Sequence, residues 1–284
     1  MRNFRPAAVQ FRSLDTLLRG HSTAAGAGAA RGHDACWPIG TGGPAAHDGE
    51  LHAMPDPTRW LVVSPHLDDA VFSCGQLLAQ APGSIVVTVF AGIPPHGTPA
   101  PPWDQRAGFR HADEAVRARR DEDRRALALL DARPVWLDFL DDQYGVPTTS
   151  TAIATRVAAA IDAHPGFGVL APAGLFHRDH LQVQEAMLSL LRADDPSHVW
   201  RFYEDVPYRR IDGLMARRVI EWRERGWTAQ PVAVPAAGDT NSVAAKAAAV
   251  DAYASQVTLL EPHMRAALRE PETIWRLECD VTSA

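Results

Sequence analysis

Residues 61–75 read LVVSPHLDDAVFSCG. With Trp60 ahead of it, LVVS is a short apolar run of the kind that makes a buried strand. His66, Asp68 and Asp69 follow at once, and apolar residues then resume at helical spacing with Val71, Leu77 and Leu78. Three side chains that are costly to bury therefore occupy the corner between a core strand and a core helix. Open α/β sheets place their sites beyond the carboxyl ends of strands, so this corner bears on fold and function together.

Working outward, apolar runs alternate with helical patterns. SIVVTVFA (84–91) is a β-branched, strand-like run. PPHGTPAPPWDQRAGF (94–109) holds too many Pro and Gly for a regular element and reads as a long loop, expected to form part of a substrate wall. ADEAVRARRDEDRRALALLDA (112–132) is an amphipathic helix with Ala115, Ala118, Ala126 and Leu129 on one face. PVWLDFL is a third strand, followed by a loop carrying Asp141, Asp142 and Tyr144. TAIATRVAAAIDAH reads as helix, GFGVLAPA as strand, HRDHLQVQEAMLSLLRA as helix and VWRFYEDVP as strand. IDGLMARRVIEWRERG and SVAAKAAAVDAYASQV are later helices. Alternation at this pitch predicts an α/β fold, a mostly parallel sheet with helices on both faces.

The bulk numbers narrow the function classes. The net charge of −6 over 284 residues argues against a nucleic-acid partner, whose footprint is a concentrated basic face. No apolar run approaches the ~18 residues of a membrane-spanning helix. Cys36, Cys74 and Cys279 are far apart, odd in number and without CxxC spacing. Neither a disulfide framework nor a thiolate zinc site is indicated, and a reducing cytoplasm is the simplest setting. Residues 20–57 are rich in Gly, Ala, His, Pro and Ser with no period. Residues 1–57 therefore read as a flexible extension and 58–284 as the compact domain.

A second polar cluster, His177, Asp179 and His180, follows GFGVLAPA in the same relation to its strand. Imidazole nitrogen and carboxylate oxygen suit zinc, which in catalytic sites takes three protein ligands and a water. His66, Asp69 and His180 form such a triplet. Asp68, diverging from its neighbour, stays off the metal as general base to the water. His177, three residues before His180, shares its helix face and is placed to stabilise an oxyanion or to act as acid, with Asp179 hydrogen-bonding it and favouring its charged form. The plainer reading of Asp68 and Asp69 is helix capping, for which one Asp is enough. A nucleotide enzyme would show GxGxxG after the first strand, and PHLDDA does not fit.

These residues carry a resemblance. SPHLDDAVFSCG resembles the PHPDDE-type signature of the LmbE-like or PIG-L family of zinc de-N-acetylases, and HRDH resembles its second motif, HPDH. RRDEDRRALALL is similar to the family's RxxE helix and AYASQV to a C-terminal segment. The resemblance implies a Rossmann-like fold, one zinc per chain held by His66, Asp69 and His180, and hydrolysis of an N-acetyl group on an amino sugar or glycoconjugate. It carries the base onto Asp68 and the oxyanion or acid role onto His177. Arg119, with Glu122 as partner, is expected at the substrate, as is Asp141 or Asp142. Leu67, Ala70 and Arg178 depart from the motifs at positions that are not ligands, and Leu175 and Phe176 stand where some relatives carry a Tyr that assists the oxyanion. A non-catalytic carbohydrate-binding or assembly protein on the same scaffold is the competing reading.

Overall fold

The computed structural model describes residues 57–194, 198–206, 208–234 and 239–279. Apart from Pro57, the extension expected over residues 1–57 lies outside them; so does Cys36, and with it the test of the cysteine reading. Seven strands form one sheet: β1 (Trp60–Ser64), β2 (Ile85–Thr88), β3 (Arg133–Trp136), β4 (Gly168–Pro172), β5 (Trp200–Tyr203), β6 (Trp227–Val232) and β7 (Ile274–Cys279). Their order is β3-β2-β1-β4-β5-β7-β6. The first five pair in parallel, while β7 runs antiparallel to both β5 and β6. The helices are α1 (Asp69–Gln80), α2 (Pro102–Arg106), α3 (Ala112–Ala128), α4 (Ser150–Asp162), α5 (Arg178–Ala193), α6 (Leu214–Glu224), α7 (Thr240–Asp251), α8 (Ala254–Val257) and α9 (Pro262–Ala267).

The central strands read as unbroken apolar runs because both faces of the sheet are covered. Side chains alternate between two cores. Leu61, Val63, Ile85, Val87, Val169 and Ala171 pack with Ile153, Val157, Val183 and Met187 of α4 and α5. Trp60, Val62, Val86 and Leu170 pack with Leu78, Leu127 and Val250 of α1, α3 and α7. The predicted α/β fold with helices on both faces is therefore present. From β1 the chain builds outward to β2 and β3, and from β4 outward to β5. The boundary between β1 and β4 is a switch point, and the crevice at its carboxyl end receives the loops that bear His66 and His177.

Three features escaped the sequence reading. The last two strands of the sheet, β7 and the edge strand β6, are only partly buried, so they lack the continuous apolar run of a central strand. The proline-rich stretch 94–109 holds a short helix, α2, whose first position is Pro102, where a missing N–H costs nothing. The last long helical pattern breaks after Asp251. Tyr253 turns inward there and donates to Asp123 Oδ1 (2.8 Å). Ser255 donates to Glu122 from both its N–H and its hydroxyl. AYASQV thus clasps α3.

Helix α1 is bent at Cys74, whose φ of −136° leaves the helical range. The N–H groups of Gln76 and Leu77, freed by the bend, donate to the buried carboxylate of Glu272 (2.7 and 3.0 Å). Lys246, the only lysine, neutralises that carboxylate at 2.9 Å. Cys74 is a buried free thiol beside this pair.

Burial pushes the Asp123 carboxyl up to about 7, against hydrogen bonds from Trp136 Nε1 and Tyr253 Oη. An unfolded Asp ionises near ~3.9. Between these values the unfolded chain has released this proton and the folded chain has kept it, so stability falls as pH rises through the window. We expect the loss of Tm between about pH 5 and about pH 8 to be smaller in Asp123→Asn than in the parent, because this ionisation is removed. Equal losses in calorimetry would clear Asp123 of the effect.

Candidate metal centre and active site

The turn from β1 to α1 is held by its own polar groups. Ser64 Oγ donates to the carbonyl of His66 (2.5 Å) and accepts from the N–H of Ala70 (3.0 Å). The N–H of His66 donates to Asp69 Oδ2 (2.8 Å). Asp68 occupies the cap position of α1 but makes no side-chain cap hydrogen bond, so capping does not account for the Asp pair. The same Asp69 Oδ2 lies 3.2 Å from His66 Nδ1.

The turn from β4 to α5 brings the second cluster across. His180 is fully buried, with Nε2 3.2 Å from Asp69 Oδ2. The centroids of the His66 and His180 rings are 5.2 Å apart, and those of His66 and His177 are 5.1 Å apart. Segments more than a hundred residues apart in sequence thus meet at one carboxylate oxygen.

Asp205, two residues past the end of β5, holds the other edge of His180. Its Oδ1 is 2.6 Å from Nδ1, and its Oδ2 accepts from the N–H groups of Gly174 and Leu175 (2.8 and 3.2 Å). Nδ1 therefore carries a proton and Nε2 faces Asp69. Gly174 is required for this arrangement: its φ is +74°, and a Cβ would fall 2.4 Å from Gln184 Cβ. Sequence reasoning missed Asp205 because the strand expected over VWRFYEDVP ran through it; β5 ends at Tyr203 and so leaves Asp205 just past a strand end, as Asp68 and Asp69 are.

Asp179 is placed differently from the expectation. Its carboxylate takes His66 Nε2 (2.9 Å) and the N–H of Asp142 (3.2 Å). It does not bond His177, because His177 caps α5 itself: the ring Nδ1 accepts from the Asp179 N–H (3.2 Å). Nδ1 being occupied as an acceptor, the neutral ring carries its proton on Nε2. Burial and the charges of His66 and His180 lower the pKa of His177, so it favours the neutral form rather than the charged one.

The cluster carries surplus negative charge. Burial opposes ionisation of Asp69, but His180 and His66 outweigh it and hold its pKa well below the usual carboxylate range. Burial opposes charge on His180, yet Asp69 and Asp205 raise its pKa to about 9. Burial, then the Asp69 charge, push Asp68 up to about 7. A cation suits this centre, and the donor geometry agrees. His180 Nε2 is buried without an aligned hydrogen-bond partner although Asp69 Oδ2 is 3.2 Å away. Such an orphaned nitrogen is costly unless something binds it. One ligand atom from each of His66, Asp69 and His180 lies within 4.8 Å of the others, and the same holds for His66, His177 and Asp179. Two nitrogens and one carboxylate oxygen are a fitting donor set for zinc.

The model of the PIG-L family, described as GlcNAc-PI de-N-acetylase, matches residues 61–191, the stretch that contains both clusters. These residues are similar to that family. Over 164 residues the chain is 34% identical to a 2'-N-acetylparomamine deacetylase of Streptomyces fradiae, a match covering 53% of this chain and 57% of that protein. This chain thus spans little more than half the length of that curated relative. Among solved structures it is similar to the zinc-inhibited form of a teicoplanin deacetylase (26% identity, TM-score 0.63, 79% of this chain and all of that one). It is also similar to a deacetylase of the antimicrobial A40926 pseudoaglycone (28% identity, TM-score 0.61, 80% of this chain and all of that one).

Around the PIG-L motifs, the remaining expected residues fall as follows. Arg119 is buried, not spread on a solvated helix face, and its partner is Asp104 (2.5 Å) rather than Glu122, which is taken by Ser255. Asp104 is fully buried and also accepts from Tyr144 Oη (2.9 Å). It thereby ties α2, α3 and the loop after β3 together. Trp103 Nε1 donates to Gln256. Asp141 faces the centre, with Oδ2 3.9 Å from His66 Nε2. Asp142 instead pairs with the exposed Arg178 (2.7 Å).

Tyr208 and Phe176 were also missed as site residues. The Tyr208 ring stacks on His177 (6.5 Å, 18°) and meets His180 edge-on at 5.2 Å. Phe176 has φ of +61°, and the N–H of His177 reaches back to the Leu175 carbonyl (2.7 Å). This is a γ-turn of the strained, positive-φ kind, a conformation costing of order 1–3 kcal/mol for a side chain other than Gly.

Asp205→Asn is expected to weaken zinc binding by the apo protein about 10–100-fold, the usual effect of removing a partner behind a ligating imidazole. Competition with a chromophoric chelator reads this, and unchanged affinity would leave Asp205 as backbone support alone. Asp104→Ala, which strands Arg119 in the interior, should lose about 3–5 kcal/mol in denaturant unfolding; a loss under 1 would mean that water reaches the guanidinium.

Proposed function

We propose that this chain is a zinc-dependent hydrolase that removes an N-acetyl group from an amino sugar or an amino-sugar glycoconjugate. The observation that carries the reading is the buried Nε2 of His180, unpartnered and 3.2 Å from an oxygen of Asp69 that also lies 3.2 Å from His66 Nδ1. Three donors aimed at one region, with a surplus of carboxylates around them, favour a divalent cation over a proton. The relatives named as deacetylases of amino sugar and glycopeptide compounds support the same reaction class.

His66, Asp69 and His180 would hold one zinc per chain. When bound, zinc supplies a Lewis acid and brings the pKa of its water to about 7. Asp179 and Asp205 fix the rings of His66 and His180 through their far nitrogens, which orients the donors before any ion arrives. Asp68 lies next in sequence to Asp69, and its side chain caps nothing. It takes the proton of the attacking water at its carboxylate. A cation beside Asp69 favours the ionised form of Asp68 and lowers its pKa from about 7, so the base is charged near neutrality.

His177 keeps its proton on Nε2, since Nδ1 accepts from the Asp179 N–H, and its ring lies 5.1 Å from that of His66. A neutral imidazole there donates a hydrogen bond to the amide oxygen as negative charge grows on it. The proton held on Asp68 returns to the amine as the C–N bond breaks. Arg119 contributes positive charge within range of Asp68, and Asp141 offers an acceptor to a substrate hydroxyl or ammonium.

The purified protein is expected to hold about one zinc per chain and to release acetate from at least one N-acetylated amino sugar in a panel. Asp68→Asn should keep both zinc and fold while its turnover drops about 10²–10⁴-fold. Folded protein that takes up no zinc, or shows no amide hydrolysis when loaded, overturns the proposal.

A further inference from the structure

The γ-turn at Leu175–His177 has a purpose that aiming His177 does not explain. Glycine would make the same turn without strain, yet the position carries Phe176, and its side chain is not buried. Phe176 is 45% exposed, one of the most exposed large apolar residues described. Strain at a bulky residue is ordinarily tolerated for burial or for function, and burial is lacking here. The ring is not loose, however. It packs on Tyr208 with centroids 5.4 Å apart, and Tyr208 in turn packs on both His177 and His180. A continuous aromatic wall therefore runs from the buried metal centre, through Tyr208, to the exposed face of Phe176.

On the His66 side of the centre stands Asp141, its carboxylate partly exposed and 3.9 Å from His66 Nε2. The two sides differ in chemistry, one apolar and flat, the other anionic and hydrogen-bonding. A pyranose has the same two aspects: a face of C–H groups, and a rim of hydroxyl and amino groups. We propose that Phe176 and Tyr208 form a subsite that receives the C–H face of the sugar ring bearing the acetamido group, or of the ring next to it, while Asp141 accepts from its polar rim. Apolar area on a rigid aromatic, with a few placed polar groups, is how small-molecule sites gain orientation. This assignment rests on the deacetylase reading for the identity of the ligand, and on the turn and ring geometry for the place.

Equilibrium binding separates the two. Asp68→Asn, zinc-loaded, serves as a catalytically silenced background, and N-acetylglucosamine and N,N'-diacetylchitobiose serve as probes in calorimetry. In this background Phe176→Gly removes the ring and the strain together. We expect Kd for the better-bound probe to rise about tenfold, the order of one lost aromatic contact with its burial, while zinc content is unchanged and Tm is equal or higher. Phe176→Trp should restore binding. A merely structural role for Phe176 would instead lower Tm or zinc content. Equal Kd with and without the ring overturns the proposal, as does failure of both probes to bind. Ring-dependent binding in a zinc-loaded parent that hydrolyses no amide would uphold the subsite and refute the deacetylase.

Discussion

One carboxylate oxygen organises this protein's site. Asp69 Oδ2 accepts from the backbone of His66 and stands 3.2 Å from an imidazole nitrogen of each of two histidines drawn from different strand ends. Placing such a group in the interior is unfavourable unless positive charge surrounds it. The sheet meets that demand by bringing β1 and β4 together as neighbours, because only at that boundary do the two histidine-bearing turns open into the same crevice. The fold and the chemistry are therefore not separable: a strand order that put β2 or β5 between β1 and β4 would leave Asp69 with His66 of its own turn but without His180.

Behind this oxygen lies a set of carboxylates with divided tasks. Asp205 and Asp179 each grip the far nitrogen of one histidine and are themselves held by backbone N–H groups. Their positions depend on that backbone, so each histidine ring is oriented by two turns at once. Asp68, in contrast, is left without such a grip. Adjacent in sequence, Asp68 and Asp69 differ because the helix start turns one toward the imidazoles and leaves the other beside them, and their pKa values are driven in opposite directions. Divergent environments for paired acids are the usual basis for divergent roles.

A second buried ion pair lies on α2 and α3. Asp104, Arg119 and Tyr144 join three segments that share no secondary structure. Proline fixes the backbone of the intervening loop and the pair fixes its tip. Exchange of charge partners between neighbouring acids also explains why Glu122 is absent from this group: the AYASQV segment occupies it, which docks the C-terminal part of the chain on α3.

By itself, the sequence determined the central strands, the helices between them and the two polar clusters at the strand ends. Burial on both faces forces unbroken apolar runs, and a polar triplet at the end of such a run is visible without coordinates. His66, Asp69 and His180 were legible for that reason, as was Asp68. Only the tertiary structure decided that Asp205 and Tyr208 belong to the site, that Asp179 serves His66, that Arg119 pairs with Asp104, and that Asp142 pairs with Arg178. Each of these depends on which segments become neighbours across the sheet, and a hydrogen bond spanning 25 or 113 residues leaves no periodic trace in the chain. Local order follows from propensity and burial, whereas partner choice follows from packing, which is a property of the assembled layers.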